Sequence, residues 1–141
     1  MMGTTTNGVS HVNKPSPLVL AFIALQDALS GTYATLSRPK LRLMVKLADG
    51  PVSVSDLAEK LHISSPAVSQ MIDKLSHEGY VRREGYGEDL RVVRVALTEN
   101  GHKALDDGLE AFEQRVAELM VTLSSDEARQ LADLINRMLA R

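Results

Sequence analysis

The sequence predicts a mainly α-helical protein with one small β-hairpin. Three observations predict it. Apolar residues recur at helical spacing at both ends of the chain, from Leu18, Phe22, Leu25 and Leu29 to Leu131, Ile135 and Met138. Between them, two short amphipathic segments that open on serines are separated only by His62-Ile63-Ser64. After them, β-prone Tyr80-Val81-Arg82-Arg83 and residues 92–97 flank a turn-rich stretch over 84–91. Two helices across a tight turn followed by a hairpin make a winged helix-turn-helix.

The first helix opens on Ser16-Pro17, a capping hydroxyl and a first-turn proline, and ends near Gly31. A second follows Ser37, with Leu41, Met44, Val45 and Ala48 on one face and Gly50-Pro51 closing it. Ser53-Val54-Ser55-Asp56 starts the third in a capping-box-like pattern, with Val54, Leu57, Ala58 and Leu61 turned inward. Ser64 or Ser65 caps the fourth, where Pro66 is tolerated because first-turn amides have no intrahelical partner. Its Val68, Met71, Ile72 and Leu75 form the buried stripe, leaving Pro66, Ser69, Gln70, Asp73, Lys74 and His77 outside. Gly79 ends it.

The rest is helical. Leu105, Leu109, Phe112, Val116, Leu119 and Leu123 repeat at alternating spacings of four and three. Ser124-Ser125-Asp126-Glu127 then restarts a helix through a capping box, and Ala128, Leu131, Ile135 and Met138 continue an apolar seam. The organisation is one compact domain overall: a flexible tail at 1–16, a helical dimerisation region from 17–36 and 99–141, and the winged helix-turn-helix at 37–98. A winged-helix core cannot cover three further amphipathic helices by itself. A second copy of the chain covers them in one reading, with Leu18, Phe22, Leu109, Phe112, Val116, Leu131, Ile135 and Met138 in the seam; in the other they bury one another within one chain.

Composition narrows the class. At 141 residues, one domain buries roughly two thirds of its unfolded surface and folds without staples. With no cysteine, disulfides, thiolate metal sites and thiol redox sensing are excluded, and a reducing cytoplasm suits the chain. No apolar run approaches a membrane span, and the opening residues lack the basic start and apolar core of a signal peptide. Net charge is −2, but residues 38–97 carry +2 and residues 98–141 carry −4, so positive charge is concentrated in the middle of the chain. An ordinary mixed-charge surface explains so small a difference about as well.

Catalysis finds little support. His11, His62, His77 and His102 fall in the tail, a turn and helix ends without ligand spacing, so neither a catalytic group nor a metal or other cofactor is expected.

From residues 36 to 105 the chain resembles the MarR family, the multiple-antibiotic-resistance-type regulators. The resemblance rests on Asp56-Leu57-Ala58-Glu59-Lys60-Leu61 leading into Ser64, Val68 and Leu75, then Gly79, Asp89-x-Arg91, Val95-x-Leu97-Thr98 and Gly101. It implies a homodimer in the prokaryotic cytoplasm or nucleoid that regulates transcription, mostly as a repressor, on a pseudo-palindromic operator in double-stranded DNA. The helix matching Ser65–His77 would enter the major groove and the hairpin tip a neighbouring minor groove. Arg91 falls on the family's wing-tip arginine and Asp89 on the aspartate that supports it. A small aromatic or phenolic ligand, bound between the dimer helices and the DNA-binding lobe, is implied by the resemblance alone.

The residues themselves agree. A planar guanidinium suits a narrow, electronegative minor groove, and a carboxylate two residues away can orient it, although an exposed local ion pair is the plainer account. Where the family often has arginine, this chain has Gln70 and Lys74 in the fourth helix and Leu90 in the wing. Gln70 can pair with adenine and Lys74 with phosphate. Ser65, Pro66 and Ser69 stand near the helix start, where they serve capping equally well. Arg83 and Arg94 on the ribbon are phosphate candidates, Arg82 another, and Lys40 and Arg42 weaker ones. The rival function is a winged helix that docks protein and no DNA. Such a module needs no projecting Asp89, Arg91 and Arg94, and favours an apolar outer face on the fourth helix.

Overall fold

The computed structural model describes residues 14–86 and 89–140, with the backbone alone for 86 and 89–92. Most of the expected tail, residues 1–13, lies outside the described residues. The chain divides into two units, Met1–Ser30 and Gly31–Arg141.

The first unit holds α1 (Pro17–Ala28), with Pro17 in its first turn. The Ser16 hydroxyl accepts the Val19 amide at 3.2 Å, the expected cap. None of the residues of α1 is buried.

The second unit opens on a two-stranded hairpin, β1 (Thr32–Tyr33) and β2 (Leu36–Ser37), closed through Ala34 in the left-handed region at φ 57°. The first helix was expected to end near Gly31; α1 stops at Ala28, and this hairpin was not foreseen. Then come α2 (Arg38–Val45), β3 (Val52–Ser53), α3 (Val54–Leu61), α4 (Ser65–His77), β4 (Val81–Tyr86), β5 (Asp89–Leu97), α5 (Glu99–Leu119) and α6 (Ser125–Leu139).

The buried face of α2 differs from the expected one. Leu41, Leu43, Met44 and Leu47 are buried, whereas Val45 and Ala48 are exposed. The helix stops at Val45, and the i→i+3 bonds from Lys46 to Leu43 and from Leu47 to Met44 tighten the chain, which carries Leu47 inward. The two central helices follow their sequence signals. Ser53 caps α3 through the Asp56 amide at 3.2 Å, His62 ends it in the left-handed conformation at φ 56°, and Ser64 caps α4 through the Ala67 amide at 3.2 Å.

The core is continuous. Leu57 and Leu61 of α3, Val68, Ile72 and Leu75 of α4, Val81, Val95 and Leu97 of the sheet and Leu105 of α5 pack with the buried leucines of α2 and with Tyr33 and Leu36 of the first hairpin. The sheet is antiparallel in the order β3-β5-β4. The hairpin strands are longer than expected, because residues 84–86 and 89–91 continue the ladder up to the Tyr86↔Asp89 pair.

The end of the sheet is tied to α5. The Thr98 hydroxyl donates to the Gly79 carbonyl at 2.6 Å and accepts the Gly101 amide at 3.0 Å, capping α5 while gripping the turn after α4.

Candidate nucleic-acid interface

The α4 stripe of Val68, Ile72 and Leu75 is buried, which fixes the rotation of the helix and turns Pro66, Gln70, Asp73, Lys74 and His77 to solvent. Ser65 is exposed as well; Ser69, expected outside, is half-buried. Ser64 rather than Ser65 is the cap, so the Ser65 hydroxyl is not needed for it. Apart from Pro66, the exposed residues of the α4 outer face are polar, the surface an element needs if it is to meet the edges of bases.

Beside α4 stands the hairpin of β4 and β5. Its register is regular from Val81↔Leu97 through Gly85↔Val93 and shifts between Gly85 and Tyr86. Asp89 and Arg91 are placed by their backbone in β5, on the strand that leads out of the tip. Their side chains, and with them the expected Asp89–Arg91 contact, lie outside the described residues.

The other ribbon arginines are held within the fold. Arg83 reaches back to α4 and donates to the Asp73 carboxylate at 2.5 Å. Arg82 donates to Glu84 at 3.1 Å and to the Leu97 carbonyl at 3.2 Å. Arg94 is half-buried on β5, opposite Ser53 on one side and Glu84 on the other. Lys40 of α2 pairs with Glu78 at the end of α4, at 2.8 Å. Sequence reasoning assigned no role to Asp73 or Glu78, and neither partner is near in sequence, so no spacing rule could have found them.

A cavity of about 200 Å³ opens between α2 and α5, lined by Arg38, Leu41, Arg42, Val45, Lys46, Leu109 and Phe112. Three cations rim an apolar floor. Phe112 also packs edge-to-face on Tyr33, with ring centroids 5.0 Å apart.

Of the expected seam residues, Leu18 and Phe22 on α1 and Leu109 on α5 are exposed, as are Leu131, Ile135 and Met138 on α6. Phe112 and Val116 are half-buried. Helix α6, capped by the reciprocal Ser124–Glu127 box, buries none of its residues. Among the described residues no helix is long and apolar enough to cross a membrane, and no group of three acidic or histidine side chains could hold a metal ion.

Comparison with known proteins agrees with this geometry. The sequence model of the MarR family matches residues 36–93, from β2 into the wing. The chain is 31% identical over 110 residues to the HTH-type transcriptional regulator YfiV of Bacillus subtilis, covering 77% of this chain and 69% of that protein. It is 32% identical over 104 residues to YdgJ of the same organism, a regulator of the same type, where the match covers 73% of this chain and 63% of the relative. A mutant MarR from E.coli, solved in complex with operator DNA, shares the fold at a TM-score of 0.72 and 21% identity, covering 86% of this chain and 91% of that one. With a helix-turn-helix, a wing and this match to both the family model and YfiV, the chain belongs to the MarR family of helix-turn-helix transcriptional regulators.

Proposed function

We propose that this chain is a sequence-specific DNA-binding regulator, acting as a homodimer that represses by occupying a pseudo-palindromic operator. The observation that carries the reading is the pairing of a polar-faced helix, α4, with an antiparallel wing beside it. In this reading α4 lies in the major groove, with Gln70 reading a base, Lys74 meeting phosphate, and Ser65, Pro66 and Ser69 approaching the duplex near the helix start. Arg91 enters the minor groove, supported by Asp89, and Arg94 adds positive charge behind it.

Exposed leucine, isoleucine and methionine side chains on α1 and α6 support the dimer, because apolar faces of that extent ordinarily meet a second surface. The cavity between α2 and α5 supports a small aromatic or phenolic anion as effector: Arg38, Arg42 and Lys46 supply charge, and Leu41, Leu109 and Phe112 supply an apolar floor. Such an anion lowers operator affinity only if it binds the non-DNA-binding arrangement better.

The test is a salt series of binding to the DNA upstream of the protein's own gene, against scrambled duplex of equal length. Tighter binding to the upstream DNA, with a steep fall as salt rises, is expected. Equal and weak binding to both duplexes would remove the support for an operator there, and no binding to either at low salt would overturn the DNA reading.

A further inference from the structure

The outer face of α4, the face read as meeting DNA, carries one acid, Asp73. Asp73 lies one turn beyond Ser69 and Gln70, with its side chain 68% exposed. A lone carboxylate there would repel phosphate. It is not alone, because Arg83 of β4 holds it at 2.5 Å.

The geometry of that pair is set by the sheet. Val81 and Arg83 point to the same side of β4, since side chains alternate along a strand. Val81 is buried against the helices, so the same face brings Arg83 under α4. Arg83 pairs in register with Val95, on the regular part of the ladder, just before the shift between Gly85 and Tyr86. The ion pair therefore joins the exposed face of α4 to the root of the wing, below the point where the hairpin loses its regular register.

We infer that Asp73 and Arg83 form a brace that sets the separation between α4 and the wing, and that Arg83 is a positioning residue rather than a phosphate contact. The inference rests on the reading that both elements meet DNA. Two elements that enter adjacent grooves of one duplex must keep a fixed separation. The core fixes α4, and the sheet fixes the wing; among the described residues, the Asp73–Arg83 ion pair spans their exposed edges. It also neutralises the one acid on the DNA-facing side of α4 in this region.

The brace makes a prediction opposite in sign to simple electrostatics. Removing an acid from a phosphate-facing surface should tighten DNA binding, whereas removing half of a brace should weaken it. The probe is the duplex that the unaltered protein enriches from a randomised pool. Asp73→Asn and Arg83→Gln are each expected to weaken binding by about two- to fivefold, the scale of an exposed ion pair. The double variant should be no weaker than either single one. Because no phosphate contact is lost, the salt slope of Arg83→Gln should match that of the unaltered protein; loss of a direct contact would lower it by about one. Thermal unfolding of each variant verifies that the fold is retained. Tighter binding by Asp73→Asn, or a reduced salt slope for Arg83→Gln, would overturn the brace while leaving the DNA reading intact. Failure of the unaltered protein to enrich any sequence would overturn both.

Discussion

The Tyr80 carbonyl oxygen occupies the place that a β-carbon on residue 101 would take: a carbon built on Gly101 collides with that oxygen and stands 2.9 Å from the carbonyl carbon. The first turn of α5 thus lies directly on the backbone leaving α4. Only glycine allows the approach that lets Thr98 hold Gly79 and cap α5 at once.

Gly101→Ala is therefore expected to destabilise the protein by about 2 kcal/mol or more, because the obstacle is backbone that cannot rotate away. Thermal unfolding measures it. A melting temperature within a degree of the unaltered protein would show that α5 can shift without loss.

Arg91→Ala should weaken specific DNA binding by about 1–3 kcal/mol while leaving the oligomeric state unchanged, if the wing arginine reads the minor groove. Competition with scrambled duplex separates lost specificity from lost charge. An unchanged affinity would exclude that role for Arg91.

If the exposed face of α6 forms the proposed dimer contact, charged residues at Leu131, Ile135 and Met138 together should give a folded monomer. These positions lie on α6, which buries none of its residues, so their replacement removes no packing from the α2–α5 core. Sedimentation equilibrium reads the mass and circular dichroism the fold. Operator affinity should fall by at least tenfold, since each half-site would then be held separately. A dimer that survives the triple replacement would place the subunit contact elsewhere.

For the cavity between α2 and α5, titration with a small aromatic carboxylate such as benzoate should reduce DNA binding, and Arg38→Gln should raise the concentration required by about fivefold or more, as expected for loss of one charge-assisted hydrogen bond. Fluorescence anisotropy of labelled duplex follows both. The same response with and without Arg38 would disconnect this cavity from regulation.

Much of the fold was legible before any coordinates. Ser53 and Ser64 announce α3 and α4, and the spacing of Val68, Ile72 and Leu75 gives the rotation of α4 and hence its outer face. Strands β1, β2 and β3 left no such trace, because each has two residues, too few to show alternation, and forms only when a distant partner supplies hydrogen bonds. The inward turn of Leu47 was equally hidden: it follows from where α2 stops, not from helical periodicity. At the interface, Pro66, Gln70, Asp73, Lys74 and His77 of α4 were readable from period as exposed, Ser69 was not, and neither were Asp73–Arg83 and Lys40–Glu78, since each pair joins elements whose proximity is a product of the finished fold.

Strand β5 lies between β3 and β4, and Val95 pairs with Val52 on one side and Arg83 on the other. Val95 is also fully buried in the core, so exposing its backbone to solvent takes the loss of the packing around it and not merely the fraying of one edge of the sheet. Hydrogen exchange at Val95 should consequently proceed only through global opening, and the helix-turn-helix and the root of the wing should lose protection as one foldon.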